Sequence, residues 1–278
     1  MNNFLSLIAQ NASVMPLNHF KREKYTRALS FGLFAPLASE ILQEDGIVLH
    51  PFFCNVQNFR YEIGTEYGVS ALLCEALLAQ DLLAPEFKNL DIGYLASESN
   101  ISEEEIEFLS HYADTGDFLA ILLGRDLYLH PQSELIAHLL GFIAKKRKVV
   151  FYMQDLSKEF SANVPIQELL LDLNALESLP ENNGAFVYLN TDSLEADKLY
   201  VPRSFSMMYK IQDGDKIDLC LEDLKVEGAK DTRLKIIFED NLKGTIALLG
   251  TPQLLGYPYK KILSLTKYQH EARTCKSK

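Results

Sequence analysis

The segment between residues 118 and 153 places the strongest constraint on the fold. Phe118 to Leu123 is an unbroken apolar run, FLAILL, with the length of a strand that is buried on both faces. A second apolar run, Val149 to Tyr152, follows about 25 residues later. Between them, Pro131 and Ser133 open a helical pattern whose apolar positions are Leu135, Ile136, Leu139, Leu140 and Ile143. Strand, helix and strand in this order predict a βαβ unit and therefore a parallel sheet.

Helical and strand-like patterns also alternate on both sides of this unit. We expect a helical pattern from Leu29 through Pro36 to Leu42, and a short strand from Ile47 to Leu49. Further helices are indicated by two apolar stripes, Val69/Leu72/Leu73/Ala76/Leu77 and Ile166/Leu169/Leu170/Leu173/Leu176/Leu179, the second starting at Pro165. Ala185 to Leu189 is predicted as a third short strand. The alternation predicts an α/β domain over residues 1–195, a parallel sheet flanked by helices.

The pattern changes after residue 200. The segments with period-2 or β-branched character are Lys216 to Leu221, Arg233 to Phe238, Thr245 to Leu249 and Ile262 to Leu265. Asp213-Gly214 and Lys243-Gly244 lie between them as turn signals. We therefore predict a small β subdomain over residues 200–267. The last nineteen residues carry six Lys or Arg against one acid, and we expect residues 268–278 to form a disordered basic tail.

Charge and hydropathy exclude several classes of protein. The chain has 278 residues, 47% of them hydrophobic, and its 38 acidic against 27 basic side chains leave a formal net charge of -11. An acidic balance opposes nonspecific nucleic-acid binding, which requires basic groups to neutralise phosphates. No apolar run reaches the length of a membrane span, and no signal peptide is recognisable at the start. These features predict a cytoplasmic protein without direct membrane insertion.

Neither a metal centre nor a nucleotide loop is predicted. Cys54, Cys74, Cys220 and Cys275 are scattered without a C-x-x-C pair, so we expect no zinc or iron–sulfur ligand set, and Cys74 reads as a small buried hydrophobe. The acidic run from Glu103 to Glu107 fits a helix start capped by Ser102 and Glu105 better than a metal site.

Two histidines are the best candidates for a functional site. His50 precedes Pro51 and His130 precedes Pro131, and both follow strand-like runs whose ends would lie where α/β proteins bind ligands. With Arg125 they could line a small-molecule pocket; the alternative is that each histidine hydrogen-bonds its own loop. Gly124-Arg125-Asp126 has the position of a phosphate loop but lacks the glycine spacing that such a loop requires.

Three stretches together resemble the molybdopterin oxidoreductase superfamily. One is GRDLYLHPQSELIAHLLGFIAKKRKVVFYM, residues 124–153, similar to that family's strand–loop–helix–strand segment. The others are SFSMMYKIQDGDKIDL, residues 204–219, and KIIFEDNLKGTIALL, residues 235–249, similar to its C-terminal β-barrel. The resemblance implies that the β subdomain is barrel-like.

Within that superfamily the chain looks closest to the large iron–sulfur subunit of respiratory complex I, NADH-quinone oxidoreductase, or to a divergent accessory subunit. GYLASESNISEEEIEFL, residues 93–109, is also similar to a loop of that subunit. The family's cluster-binding cysteines and molybdenum ligand have no counterpart here. The resemblance therefore implies a non-catalytic subunit without cofactor, peripheral to the inner membrane through partner subunits of a respiratory complex. Two alternatives stay open: an enzyme using His50, His130 and Arg125, and an assembly factor or molybdenum-cofactor chaperone.

Overall fold

The computed structural model describes residues 1–79, 81–83, 85–113, 119–161, 173–191, 194–222, 233–254 and 256–268, which fall into two compact units, Met1–Asn182 and Asn183–Lys278. The strands of the first unit are β1 (Val14–Pro16), β2 (Arg27–Phe31), β3 (Ile47–Leu49), β4 (Gln57–Phe59), β5 (Leu119–Leu123) and β6 (Val149–Met153). Its helices are α1 (Asn2–Ala9), α2 (Ala35–Leu42), α3 (Glu66–Leu77), α4 (Ile92–Ser99), α5 (Glu103–Ala113), α6 (Arg125–Tyr128) and α7 (Ser133–Lys146).

The six strands of the first unit form one parallel sheet in the order β1-β6-β5-β2-β3-β4. At its centre, Leu29 of β2 lies beside Ile47 on one side and Ile121 on the other. The predicted βαβ unit is confirmed, because β5 and β6 are parallel neighbours joined through α7. A helical crossover is the usual connection between parallel neighbours.

The main core of this unit lies between the sheet and a layer of helices. Phe31, Phe59 and Phe151 are fully buried in it. In the helical layer α3 packs against α4, α5 and α7, while α1 packs against α7. Cys74 of α3 is fully buried, and its thiol lies 3.5 Å from the carbonyl oxygen of Leu139 in α7, so its predicted role as a small buried side chain is confirmed.

The second unit is a closed six-stranded barrel. Its elements are β7 (Phe186–Asn190), β8 (Lys198–Val201), α8 (Ser204–Tyr209), β9 (Lys216–Leu221), β10 (Leu234–Phe238), β11 (Ile246–Gly250) and β12 (Tyr259–Lys267). The strand order is β10-β8-β11-β7-β12-β9, with β7·β11 and β8·β10 parallel and the other pairs antiparallel. Val187, Leu199, Ile217 and Ile236 are fully buried inside it. The predicted fold class, α/β with a small C-terminal barrel-like subdomain, is confirmed.

Two short apolar runs differ from their sequence-based assignment. Phe186–Asn190 pairs with β11 and β12 of the barrel, so the units divide after Asn182 rather than near residue 195. Arg27–Phe31 is strand β2, and the expected helix starts only at Ala35. When nearly all five residues of a segment are buried, the alternation of apolar and polar residues that distinguishes a helix from a strand is absent. Such a segment also does not indicate which sheet it joins.

Several elements have no counterpart in the sequence-based assignment, among them the helices α1, α4 and α6 and the strands β1, β4 and β8. The expected helix from Pro165 falls largely outside the described residues, as do Phe118 and residues 269–278 of the expected tail. Among the described residues, no helix is both long enough and apolar enough to cross a membrane.

Candidate functional site

The carboxyl ends of the parallel strands bring the candidate residues to one edge of the sheet. Gly32 follows β2, His50 follows β3, Gly124 follows β5 and Asp155 lies two residues after β6. The chain continues from β2 outward to β3 and β4, and from β5 in the opposite direction to β6. The gap between β2 and β5 is therefore the topological switch point, where open α/β sheets bind their ligands.

His50 is fixed by two hydrogen bonds at this edge. The backbone N–H of Phe52 donates to its Nδ1 over 3.1 Å, so the ring proton lies on Nε2. Nε2 lies 3.2 Å from the Oδ2 of Asp126, and both side chains are 0% exposed. A buried carboxylate is costly unless it is paired, and His50 supplies the pairing donor.

His130 repeats the same arrangement. The backbone N–H of Gln132 donates to its Nδ1 over 2.8 Å, and Nε2 lies 3.2 Å from the Oε2 of Glu66 and 3.1 Å from the carbonyl oxygen of Gly64. In each His-Pro sequence the proline has no N–H, so the first available backbone donor is two residues after the histidine. The interpretation that each histidine hydrogen-bonds its own loop is confirmed.

A third ion pair joins α6 to the segment after β6. Arg125 donates from Nε to the Oδ2 of Asp155 over 2.8 Å, and the Tyr128 hydroxyl donates to the same oxygen over 2.5 Å. Burial alone would raise the pKa of Asp155, but the hydrogen bonds from Arg125 and Tyr128 outweigh it and lower that pKa below its ordinary value. Burial, reinforced by the hydrogen bond to Asp155, raises the pKa of the Tyr128 phenol.

Backbone contact closes the switch-point gap. The N–H of Gly124 donates to the carbonyl oxygen of Phe31 over 2.9 Å, and that of Asp126 to the carbonyl oxygen of Gly32 over 3.4 Å. A Cβ atom at Gly124 would lie 1.8 Å from the Gly32 oxygen. A Cβ atom at Gly32 would lie 2.8 Å from the Cγ of Leu127, which is fully buried. Main chain and the Leu127 side chain thus bring the loops that follow β2 and β5 into direct contact.

The three predicted site residues lie at one edge but have different carboxylate partners. His50 pairs with Asp126, His130 with Glu66 and Arg125 with Asp155. Sequence reasoning missed all three carboxylates as partners. Asp126 could have been noticed from the sequence, since it directly follows Arg125 in the candidate loop. Glu66 could not, because it lies 64 positions from His130 and only the fold brings the two residues together.

Two cavities in the first unit lie away from these residues. One, of about 600 Å³, is lined by Arg60, Asn100 and the start of α5, and the other, of about 620 Å³, by the ends of α3 and α7 together with α5. At the start of α5 the predicted cap is confirmed, because Glu105 accepts from the N–H of Ser102 and Ser102 Oγ accepts from the N–H of Glu105.

The described part of the chain contains no group of three or more His, Cys, Asp or Glu side chains that could hold a metal ion. Comparison with family models, curated proteins and solved structures finds no match to this chain. Its function is therefore inferred from the geometry of the strand edge and from the resemblance of its sequence motifs.

Proposed function

We propose that this chain is a non-catalytic subunit of a bacterial respiratory complex of the NADH-quinone oxidoreductase type. The observation that carries the non-catalytic part of the proposal is the close contact of the two loops at the switch point. A doubly wound sheet that binds a ligand needs an open crevice between the diverging strands. Here the contact between Gly124 and Gly32, together with Leu127, fills that position.

The buried histidines support the same conclusion. A general base needs a free lone pair within reach of substrate. The Nδ1 atoms of both His50 and His130 accept backbone N–H groups, and both Nε2 atoms face buried carboxylates. These side chains bind α6 to β3 and to the start of α3, which is a structural role.

The partners follow from the resemblance and from the charge. The motifs in residues 124–153, 204–219 and 235–249 are similar to molybdopterin oxidoreductases, and the parallel sheet with a separate barrel agrees with that similarity. We propose that the chain is cytoplasmic, binds no nucleic acid or cofactor of its own, and reaches the inner membrane through other subunits of the complex.

Native purification tests the proposal. The full chain, tagged at its genomic locus, is extracted from membranes in mild detergent and run on a native gel. We expect it to migrate with the NADH-quinone oxidoreductase subunits and with quinone-reductase activity. A free monomer with no such subunit would contradict the proposal. An untagged strain is the control for nonspecific retention.

The composition of the mature complex, and not gene deletion, separates a subunit from an assembly factor. Loss of a subunit or of an assembly factor lowers the abundance of the complex, but only a subunit is present in the mature particle of the parent strain.

An absorption spectrum of the purified chain separates a subunit or an assembly factor from a flavoenzyme. We expect no visible band, and a flavin band would support the enzyme alternative.

A further inference from the structure

The six strands of the barrel follow one another along the chain as two sets of three. The first half consists of β7, β8 and β9, and the second half consists of β10, β11 and β12. Exchanging the halves, so that β7 replaces β10, β8 replaces β11 and β9 replaces β12, leaves every neighbour relation of the closed ring unchanged. The strand directions are preserved as well. The parallel pairs β7·β11 and β10·β8 replace each other, as do the antiparallel pairs β7·β12 and β10·β9.

Equivalent hydrogen bonds identify which residues of the two halves correspond. The N–H of Phe186 in β7 donates to the carbonyl oxygen of Thr245 over 2.9 Å, and the N–H of Lys235 in β10 donates to that of Asp197 over 2.8 Å. Thr245 and Asp197 each directly precede the parallel neighbour, β11 or β8. Phe186 therefore corresponds to Lys235, and the first residues of β11 and β8 correspond to each other.

This correspondence places a two-fold axis between the halves. Tyr200 is the third residue of β8 and Leu248 is the third residue of β11, so the two are counterparts. They also lie directly opposite each other in the antiparallel ladder. A residue that pairs with its own counterpart marks the axis of a symmetric, self-complementary interface. The axis therefore passes through the β8·β11 pair.

The seam between β9 and β12 obeys the same axis. Lys216 and Lys261 are counterparts, because they pair with the lysine and the phenylalanine matched above. The N–H of Glu222 donates to the carbonyl oxygen of Lys261 over 3.0 Å, and the N–H of Tyr268 donates to that of Lys216 over 2.8 Å. At this seam each half thus receives the same hydrogen bond that it gives.

The interior of the barrel follows the correspondence too. The counterparts that belong to the barrel core or pack against it are apolar in both halves, namely Ala185/Leu234, Val187/Ile236, Leu199/Ala247, Val201/Leu249, Ile217/Ile262 and Leu219/Leu265. The likeness lies in the strands rather than in their connections. The helix α8 joins β8 to β9, whereas the described residues between β11 and β12 form no helix.

We infer that the barrel is an internal dimer of two like half-barrels, β7–β9 and β10–β12, joined across an isologous interface within one chain. In such an interface the same surface serves on both sides of the axis. The partner that each half fits is therefore a second half-barrel of its own kind. Ring order, strand direction and register all survive the exchange of the halves, and three independent agreements are not expected of two unrelated halves.

Leu263 is the place where the registers of the two halves differ. It is skipped between Ile262 and Ser264 in the ladder with β9, and it is 60% exposed. The corresponding step of β9, from Ile217 to Asp218, contains no extra residue. A β-bulge adds one residue to one strand of a pair. Because the halves are equivalent, the ring can close without this bulge, and β9 can carry it as well as β12.

Deletion of Leu263 from the full chain is the first test. Hydrogen–deuterium exchange read by mass spectrometry measures the protection of peptides from β9, β11 and β12 separately from the first unit. We expect protection in the barrel to stay within about twofold of the parent chain. The matched control is deletion of Asp218, which is also exposed but pairs with Thr266. It shifts Leu219 by one position toward the outer face, so protection should fall by at least about tenfold.

The second test moves the bulge to the other half. Leu263 is deleted, and one leucine is inserted between Ile217 and Asp218, the corresponding step of β9. We expect this variant to keep the protection of the parent chain. In the control the leucine is inserted between Leu219 and Cys220 instead, where the corresponding step of β12 has no bulge, and protection should be lost.

The inference is overturned if deletion of Leu263 removes protection from the barrel, or if deletion of Asp218 is tolerated equally well. It is also overturned if the moved bulge unfolds the barrel, or if both insertion sites give the same protection. None of these results bears on the proposed function, which native purification tests separately.

Discussion

Position 124 requires glycine because of distance and not because of backbone conformation. Its φ of -96° is open to any residue. A Cβ atom there would nevertheless lie 1.8 Å from the Gly32 carbonyl oxygen and 2.3 Å from the Cα of Leu33, far inside van der Waals contact. The loops that follow β2 and β5 can approach this closely only without a side chain, and this approach closes the switch point.

Gly124→Ala is therefore expected to destabilise the first unit by about 3 kcal/mol or more, since neighbouring main chain must move. The matched control is Gly93→Ala in the first turn of α4, where the new Cβ would meet only the Asp91 side chain at 3.4 Å. Alanine reduces the freedom of the unfolded chain, so the control should be neutral or stabilising by about 0.5 kcal/mol. Urea unfolding followed by circular dichroism measures both, and equal midpoints would contradict the account.

At the scale of elements, α6 is a helix that its surroundings hold in place. It has four residues, too few for a helix to be stable alone. Asp126 binds it to the end of β3, and His130, just after it, binds to the start of α3. Arg125 and Tyr128 bind it to Asp155. Removing one of these contacts should loosen α6 before it unfolds the sheet.

The variant Asp155→Asn tests how much the contacts of Arg125 and Tyr128 with Asp155 contribute to stability at neutral and at low pH. Asparagine also tolerates the left-handed backbone of position 155, whose φ is 62°. The folded-state pKa of Asp155 lies below its ordinary value of 3.8, so its carboxylate contributes stability above pH 3.8 and loses that contribution as the pH falls below it. Because Asp155 is 43% exposed, solvent screening limits the contribution to under about 1 kcal/mol.

We therefore expect Asp155→Asn to be less stable than the parent chain at pH 7, and we expect this difference to shrink as the pH falls below 3.8. Chemical denaturation across this pH range measures the difference. Glu159→Gln, an exposed carboxylate four residues further on, controls for the loss of a negative charge. A difference that persists unchanged at pH 2 would contradict the assignment.

At the scale of the whole molecule, each of the two units has a core of its own. The first is formed by the parallel sheet and its helices, and the second lies inside the barrel. All six barrel strands fall after Asn182, and each pairs with two neighbours within the barrel. Residues 183–278 therefore contain every strand and every backbone ladder that the barrel needs.

We expect a fragment of residues 183–278 to fold alone, with a β-type circular dichroism spectrum and a cooperative thermal transition. A fragment of residues 200–278, which starts at the boundary suggested by the sequence, should remain unfolded. It lacks β7, the shared neighbour of β11 and β12, and the first half of β8. If both fragments fold equally well, β7 is not an integral barrel strand.

The features of the fold that depend on the pattern of residues within one short segment could be predicted from the sequence. The βαβ unit, the cap of Ser102 and Glu105, and the β character of the second unit could be predicted because each is encoded within a short segment. The pairing of His130 with Glu66 could not, since no local pattern links positions so distant. Strand β2 was read as helix because its residues are nearly all buried, which removes the periodicity that would identify it.

Barrel closure also limits how this chain can associate with others. A free strand edge invites pairing with a foreign strand, and a closed barrel has none among its six strands. The parallel sheet ends in β1 and β4, each only three residues long. Pro16 leaves β1 without one backbone donor, and Phe160 already occupies the outer side of Val14 through two hydrogen bonds. The described strands therefore offer little free edge for pairing with another chain, which favours association through side chains over indiscriminate sheet-to-sheet aggregation.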